Sequence, residues 1–317
     1  MRNPEQHDVG SRVSIRLRDL EYGLRDVLGT LETVNSVRRK NGELWNFQSS
    51  DIVAWRIVPN VISRAGTGAP FSLRIKELEE IAERTWPPRE TVDVGGWRLR
   101  LSDGFTNRAN SIRPTAPAPF GLTSGNFDDL EEMVENSIRR YQERGLTPTF
   151  HLALPTYQKL NDYLVERGWI CSVESHVMVV DKVSVPTVPM AADMVVDVLE
   201  SATPQWLAVQ GDGRGAGIMN AFPAKYLALR GADSDEWLAV GRMSEDSDWA
   251  FLSRLFVRPE YRGYGLSKVL LAAIAEKCDA TKIALQVDIK NSVAIGLYQT
   301  MNFRVHHNYR YLTWTEQ

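Results

Sequence analysis

Residues 257–277, VRPEYRGYGLSKVLLAAIAEK, place two arginines and two glycines between a β-branched run and an apolar helical pattern. Within them, Arg262-Gly263-Tyr264-Gly265-Leu266-Ser267 has the residue types for binding an anion. The first turn of a helix leaves its amides unpaired and carries the positive end of the dipole. Glycine lets that backbone come close to an anion and take positive φ. Arginine adds full charge in a planar fork suited to phosphate. Together these features predict a pyrophosphate cradle. The hexapeptide alone serves equally well as a plain strand–helix connection. No G-x4-G-K-[ST] occurs in the chain, which argues against a nucleoside-triphosphate loop.

The elements around the hexapeptide follow from the pattern. Val257-Arg258-Pro259 ends a strand, because proline cannot donate to a ladder. Leu266, Val269, Leu270, Ala273 and Ile274 then share one face of a helix. A further strand leads to NSVAIGLYQTMNF, residues 291–303, where Ala294, Leu297, Tyr298 and Met301 form a second helical stripe. Tyr298 on such a stripe is ordinarily a core aromatic. Its place 33 residues after Gly265, in β-α-β-α order, shifts that balance toward chemistry.

At 317 residues, with 43% apolar and 24% charged residues, the chain is globular and calls for more than one domain. Three are expected. Residues 1–62 read as a small SH3-like β-barrel of short strands with an Asn41-Gly42 hairpin turn. Its basic trio, Arg38, Arg39 and Lys40, is read as a solvated edge rather than a nucleic-acid contact. After the linker at 60–70, residues 70–185 and 190–317 each alternate helices and strands, with a joint at 184–193. The two halves end alike: setting Gly168-Trp169 on Asn302-Phe303 aligns two helix–turn–strand segments and puts Leu164 opposite Tyr298. The first half lacks both the arginine of the cradle and the tyrosine, so it is expected to shape the acceptor cleft, with Arg108 and Asn110 as candidates to face it. The fold class is α/β in the α+β sense: the small barrel followed by tandem mixed sheets.

The remaining bulk properties exclude more than they assign. A net charge of −3 gives no basic excess of the kind that nucleic-acid binding demands. No apolar run is long enough to span a membrane, and the N-terminal residues contain no apolar signal core. Cys171 and Cys278 form no metal-ligand spacing, no metal is expected, and a reducing, cytoplasmic setting fits. Gly211, Gly213 and Ala216 match a loose G-x-G-x-x-A, but Pro223 interrupts the helix that should follow.

With these residues in place, the sequence resembles the GNAT superfamily of acetyl-CoA-dependent N-acetyltransferases. The family's [QR]-x-x-G-x-[GA] appears as Arg262 to Ser267, with serine at the last position. Its N-x-x-A-x-x-L-Y-x-x-x-G-F appears as Asn291, Ala294, Leu297, Tyr298 and Phe303, with Asn302 for the glycine. More broadly, the chain is similar to an actinobacterial subgroup with an N-terminal SH3-like domain and a degenerate middle region, a likeness also carried by GFTNRANS at 104–111 and HHNYRY at 306–311.

The resemblance implies acetyl-CoA as cosubstrate and an amine of a small molecule or protein as acceptor. It implies that Leu255, Phe256 and Val257 offer backbone to the pantetheine arm. Arg262, Gly263, Tyr264, Gly265, Leu266 and Ser267 would hold the pyrophosphate, Asn291 would meet the cofactor arm, and Tyr298 would act as general acid on the leaving thiolate. The proton acceptor stays open: Glu245, Asp246 and Asp248 read as turn acids, and His306 and His307 as structural. Two rival functions stand beside amine acetylation: a non-catalytic acyl-CoA sensor or adaptor, and a nucleoid-associated lysine acetyltransferase. The acceptor and the oligomeric state are not specified.

Overall fold

The computed structural model describes residues 3–19, 23–39, 42–57, 69–123, 129–211 and 213–315. Contacts within the chain divide it into two compact units, Met1–Ala69 and Pro70–Gln317.

In the first unit, β1 (Arg12–Asp19), β2 (Gly23–Thr33), β3 (Ser36–Arg38), β4 (Leu44–Asn46) and β5 (Ile52–Ile57) form one antiparallel sheet in the order β4-β3-β2-β1-β5. Alternation along β1 sends Val13, Ile15 and Leu17 into a core with Val27, Leu31, Val37 and Phe47. Arg38 is ion-paired to Glu32 and Arg39 to Glu43. Lys40 and Asn41 lie outside the described residues, while Gly42 takes φ +84°.

In the second unit, α1 (Phe71–Arg84) precedes β6 (Glu90–Val94), β7 (Trp97–Leu101) and β8 (Ile112–Pro114). Then follow α2 (Asp129–Gln142), β9 (Thr149–Leu154), α3 (Gln158–Glu166) and β10 (Ile170–Asp181). The second half contributes β11 (Met194–Leu199), α4 (Pro204–Gln210), α5 (Ala216–Met219), β12 (Lys225–Gly231), β13 (Trp237–Asp246) and β14 (Trp249–Val257). It ends with α6 (Leu266–Lys277), β15 (Lys282–Asp288), α7 (Ser292–Thr300) and β16 (Arg304–Thr313).

All eleven strands of this unit share one sheet, ordered β11-β12-β13-β14-β15-β10-β16-β9-β8-β7-β6. The order shows an exchange. β10, last in the first half, pairs with β15 of the second, and β16, last in the second, pairs with β9 of the first. β10 and β16 pair with each other between them. Alternation along β14 separates two faces: Ala250 and Leu252 join the core under α6 and α7, while Trp249 and Phe251 join the core under α1. In α6, Leu271 and Ala275 are buried along with Leu270 and Ile274, and Val185 and Val188 of the connecting segment pack against the same core.

The two halves also end alike in geometry. Trp169 N–H donates to the Leu164 carbonyl at 3.1 Å, and Phe303 N–H to that of Tyr298 at 3.0 Å. The residue between takes the left-handed conformation in each, Gly168 at φ +86° and Asn302 at φ +64°. Leu164 therefore stands where Tyr298 stands, in the same helix-ending motif. Among the described residues no helix is long and apolar enough to cross a membrane.

Candidate active site

β14 and β15 run parallel and pair from Trp249 with Lys282 to Leu252 with Leu285, and no further. Beyond that point they splay. On its other side β14 carries a bulge: Val240 pairs with Phe256 and Arg242 with Ser253, so Arg254 and Leu255 face the single residue Gly241. Arg254 sits at φ +58°, a backbone state costing an arginine on the order of 1 kcal/mol. Splay and bulge together open a cleft of about 380 Å³. Its walls include Arg242 and Ser253 through Phe256 on one side, and Gln286, Asp288, Asn291 and Tyr298 on the other.

The hexapeptide lies at the end of β14. Arg262 is tethered by Nε donating to the Val257 carbonyl at 3.2 Å and by its place over the Phe256 ring at 5.5 Å. Gly263 and Gly265 take φ +87° and +77°, and Gly265 is the N-cap of α6. Lys268 and Val269 N–H donate to the Gly265 carbonyl. Among the described residues, the amides of Gly263, Tyr264, Gly265, Leu266 and Ser267 donate to no backbone carbonyl. Added Cβ atoms on either glycine would meet nothing within 4 Å. Five amides without a backbone acceptor thus cluster at a helix N-terminus, with open space beside Gly263 and Gly265.

Leu255 and Phe256 line the cleft, whereas Val257 is buried in the core under α6. Asn291 is the N-cap of α7, its Oδ1 accepting from Ala294 N–H at 3.0 Å. Tyr298 packs its ring 5.8 Å from that of Phe303. Burial pushes its phenol up to about 12.

The turn acids are committed elsewhere. Glu245 accepts from Asp279 and Ala280 N–H at 2.7 and 2.9 Å, and Asp248 from Thr281 N–H at 3.1 Å. Asp246 pairs with Arg84. His307 Nε2 sits 2.8 Å from Glu79 Oε1, and His306 contacts His307 through their Nδ1 atoms at 2.9 Å. Neither histidine lines the cleft; burial lowers His306 to about 4. Asp288, which the sequence offered no reason to single out, is the acid in the wall, its Oδ1 accepting from Lys290 N–H at 2.8 Å. Asn110 is buried and does not face the cleft; its Oδ1 accepts from Ser102 and Gly104 N–H at 2.9 and 3.2 Å.

The first half holds the matching splay in closed form. β8 and β9 pair in parallel only at Ile112 with Phe150. Arg113 then binds Glu83 at 2.5 Å, and His151 Nε2 lies 3.0 Å from Glu79 Oε2. His151 Nδ1 accepts from Arg100 at 2.9 Å. What remains is a cavity of about 20 Å³. A larger groove of about 770 Å³, between residues 182–188, β11 and α6, carries apolar walls with Lys182, Glu276 and Lys277, and none of the cradle residues or of the polar groups of the cleft. Gly211 caps α4, and α5 spans only four residues, so no βαβ unit follows the loose glycine pattern.

Comparison with known proteins places the fold among acetyltransferases. Residues 73–312 match the family model described as "Probable histone acetyltransferase Rv0428c C-terminal". An uncharacterized N-acetyltransferase of Bacillus subtilis, YobR, is 25% identical over 259 residues, covering 74% of this chain and 98% of that protein. The probable histone acetyltransferase Rv0428c of Mycobacterium tuberculosis is 33% identical over 113 residues, 33% of this chain and 35% of that one. Among solved structures, a GCN5-related N-acetyltransferase from Kribbella flavida superposes with a TM-score of 0.62 at 14% identity, covering 77% of this chain and 96% of that one. A tandem GNAT protein from the clavulanic acid biosynthesis pathway gives 0.52 at 14% identity, covering 75% and 87%. The chain is a GNAT-type acyltransferase and belongs to the family of the Rv0428c C-terminal region.

Proposed function

We propose that the protein is an acetyl-CoA-dependent N-acetyltransferase that transfers the acetyl group directly to an amine of a small molecule or protein. The observation that carries the reading is the conjunction at one splay of five amides that donate to no backbone carbonyl and a half-buried phenol raised to about 12. A diphosphate fits the amides: they stand at a helix N-terminus, nothing fills the space before Gly263 and Gly265, and Arg262 stands beside them. Leu255 and Phe256, freed on the β15 side by the splay, offer backbone groups to an extended pantetheine arm.

In the reaction the amine nitrogen bonds to the acyl carbon as the carbon–sulfur bond breaks. Tyr298 stays protonated at any working pH and donates to the sulfur as charge develops there. The amine must attack in its neutral form, and Asp288 is the cleft carboxylate that takes its proton. The N-terminal sheet is an SH3-like module in this reading, supported by five short antiparallel strands around one small core.

The test is calorimetry with CoA, followed by thiol release from acetyl-CoA across a panel of amines. Micromolar binding, weakened at least tenfold by Arg262→Glu, and turnover of at least one amine are expected. No heat with CoA on folded protein would end the proposal. Binding without turnover of any amine would replace it with an acyl-CoA sensor.

A further inference from the structure

Two neighbouring arginines, Arg242 in the wall of the cleft and Arg108 beside it, lack the carboxylate partner that several other buried or half-buried arginines of this unit have. Arg98, Arg100 and Arg113 converge on Glu83, Arg230 pairs with Asp197, and Arg310 with Glu174. Arg242 is only 1% exposed, yet its donors go to neutral oxygens alone: the carbonyls of Met219, Thr85 and Phe222, and the hydroxyls of Tyr226 and Ser253. Arg108 is half-buried and, among the described residues, makes no hydrogen bond or ion pair. Its guanidinium lies 5.4 Å from the Trp86 ring centroid and 5.6 Å from that of Phe251. Arg242 lies 5.2 Å from the same Trp86 ring, so one indole is shared by two cations. Burial lowers Arg242, and the charge of Arg108 beside it adds to that lowering.

Arg242 is a wall residue of the cleft, and Arg108, outside that wall, stands beside it over Trp86 and Phe251. Arg242 pairs in register with Ser253, and Phe251, under Arg108, is two residues from Ser253 on the same side of β14. A charge removed from water without an opposite charge is costly, by several kcal/mol for a fully buried group. Aromatic faces offset only part of that. Among the described residues no carboxylate reaches either arginine, so the ligand is left to supply it.

Resting on the acetyl-transfer reading, we infer that the acceptor is a small amine carrying its own carboxylate, of the amino-acid class. The carboxylate docks on the uncommitted fork of Arg108, with Arg242 adding to the field behind it. The planar fork of arginine matches a carboxylate through two parallel hydrogen bonds. A lysine within a basic peptide would instead bring like charge to the pair, which is repulsive at close range.

The test measures binding separately from catalysis. N-acetylated amino acids, the expected products, and their neutral primary amides are titrated by calorimetry into the CoA-loaded protein. The acids are expected to bind at least tenfold tighter than the amides. Arg108→Ala reduces that ratio to about threefold or less, and Arg108→Lys keeps an intermediate ratio. The heat of CoA binding reports that each variant is folded. In steady state, the preference for amino acids over their amides appears mainly in KM. Equal binding of acids and amides, binding of neither, or an Arg108→Ala variant that keeps the wild-type ratio would each overturn the inference. So would turnover favouring lysine peptides or phosphoethanolamine over amino acids. Acids held through Arg108 with no thiol released for any amine would sink acetyl transfer and leave the anion site standing, which separates the two claims.

Discussion

Burial holds the Tyr298 phenol at about 12, well above the range in which a thiolate leaves. A group with so high a value is a donor throughout that range and does not itself set the pH dependence. The kcat profile is therefore expected to rise with pH as the amine loses its proton, with no falling limb below about pH 10, since the donor form of Tyr298 persists there. Tyr298→Phe removes the donor and leaves the ring against Phe303, so kcat should fall about 10²- to 10⁴-fold while CoA affinity stays within about threefold. A falling limb near neutral pH that Tyr298→Phe abolishes, or a variant with wild-type kcat, would remove the tyrosine from its role. The place of Tyr298 on α7 was legible in the sequence because its signal is local: one helix, one stripe, one fixed spacing from Gly265. Arg108 was named, but its chemistry was not legible, since its partners Trp86 and Phe251 are far away in sequence and only the sheet brings them together. Asn110 had the polarity for a cleft residue and is spent on the turn at 102–104 instead.

At the scale of elements, the proposed cradle depends on where the first turn of α6 points its amides. Gly265 at φ +77° sets that direction, and the space beside it is open. A methyl group there meets no atom, so its effect must come through the backbone, where the left-handed state costs an L-residue roughly 1–2 kcal/mol. Gly265→Ala is expected to lower CoA affinity about tenfold and the melting temperature by a few degrees, as φ relaxes and the amides turn away. Gly265→Asn should lose less, because asparagine accepts this conformation more readily; Asn302 already does so at the end of α7. Equal losses from alanine and asparagine in CoA titrations would show that φ is not the controlling variable. The elements carrying the site were readable in advance for the same reason: proline ends β14, glycine opens α6, and asparagine starts and ends α7. The bulge at Arg254 and Leu255 was not, because WAFLSRLFV alternates no differently from an unbroken strand.

For the molecule as a whole, the exchange of β10 and β16 ties the halves into one cooperative body. Leu312, at the end of the chain, is fully buried in the first half's core beside Phe150, Leu160 and Trp169. Met178 and Val180, from the first half, are buried in the second half's core beside Leu227 and Leu285. No local pattern could announce this. A period of two says which face a residue occupies and not which strand lies next to it, so β10 and β16 read as the matching ends of two separate repeats. Physically, neither half completes its sheet without the other's last strand. Leu312→Ala removes a fully buried side chain from the first half's core and should cost about 2–5 kcal/mol. If the exchange couples the halves, that loss is shared. Amides of β7 in the first half and β12 in the second should lose hydrogen-exchange protection by the same amount, and the urea transition of residues 70–317 should remain single with a lower midpoint. Protection lost in β7 while β12 keeps its wild-type value would mean that the halves unfold separately, and the exchanged strands would then be a seam between two bodies rather than the centre of one.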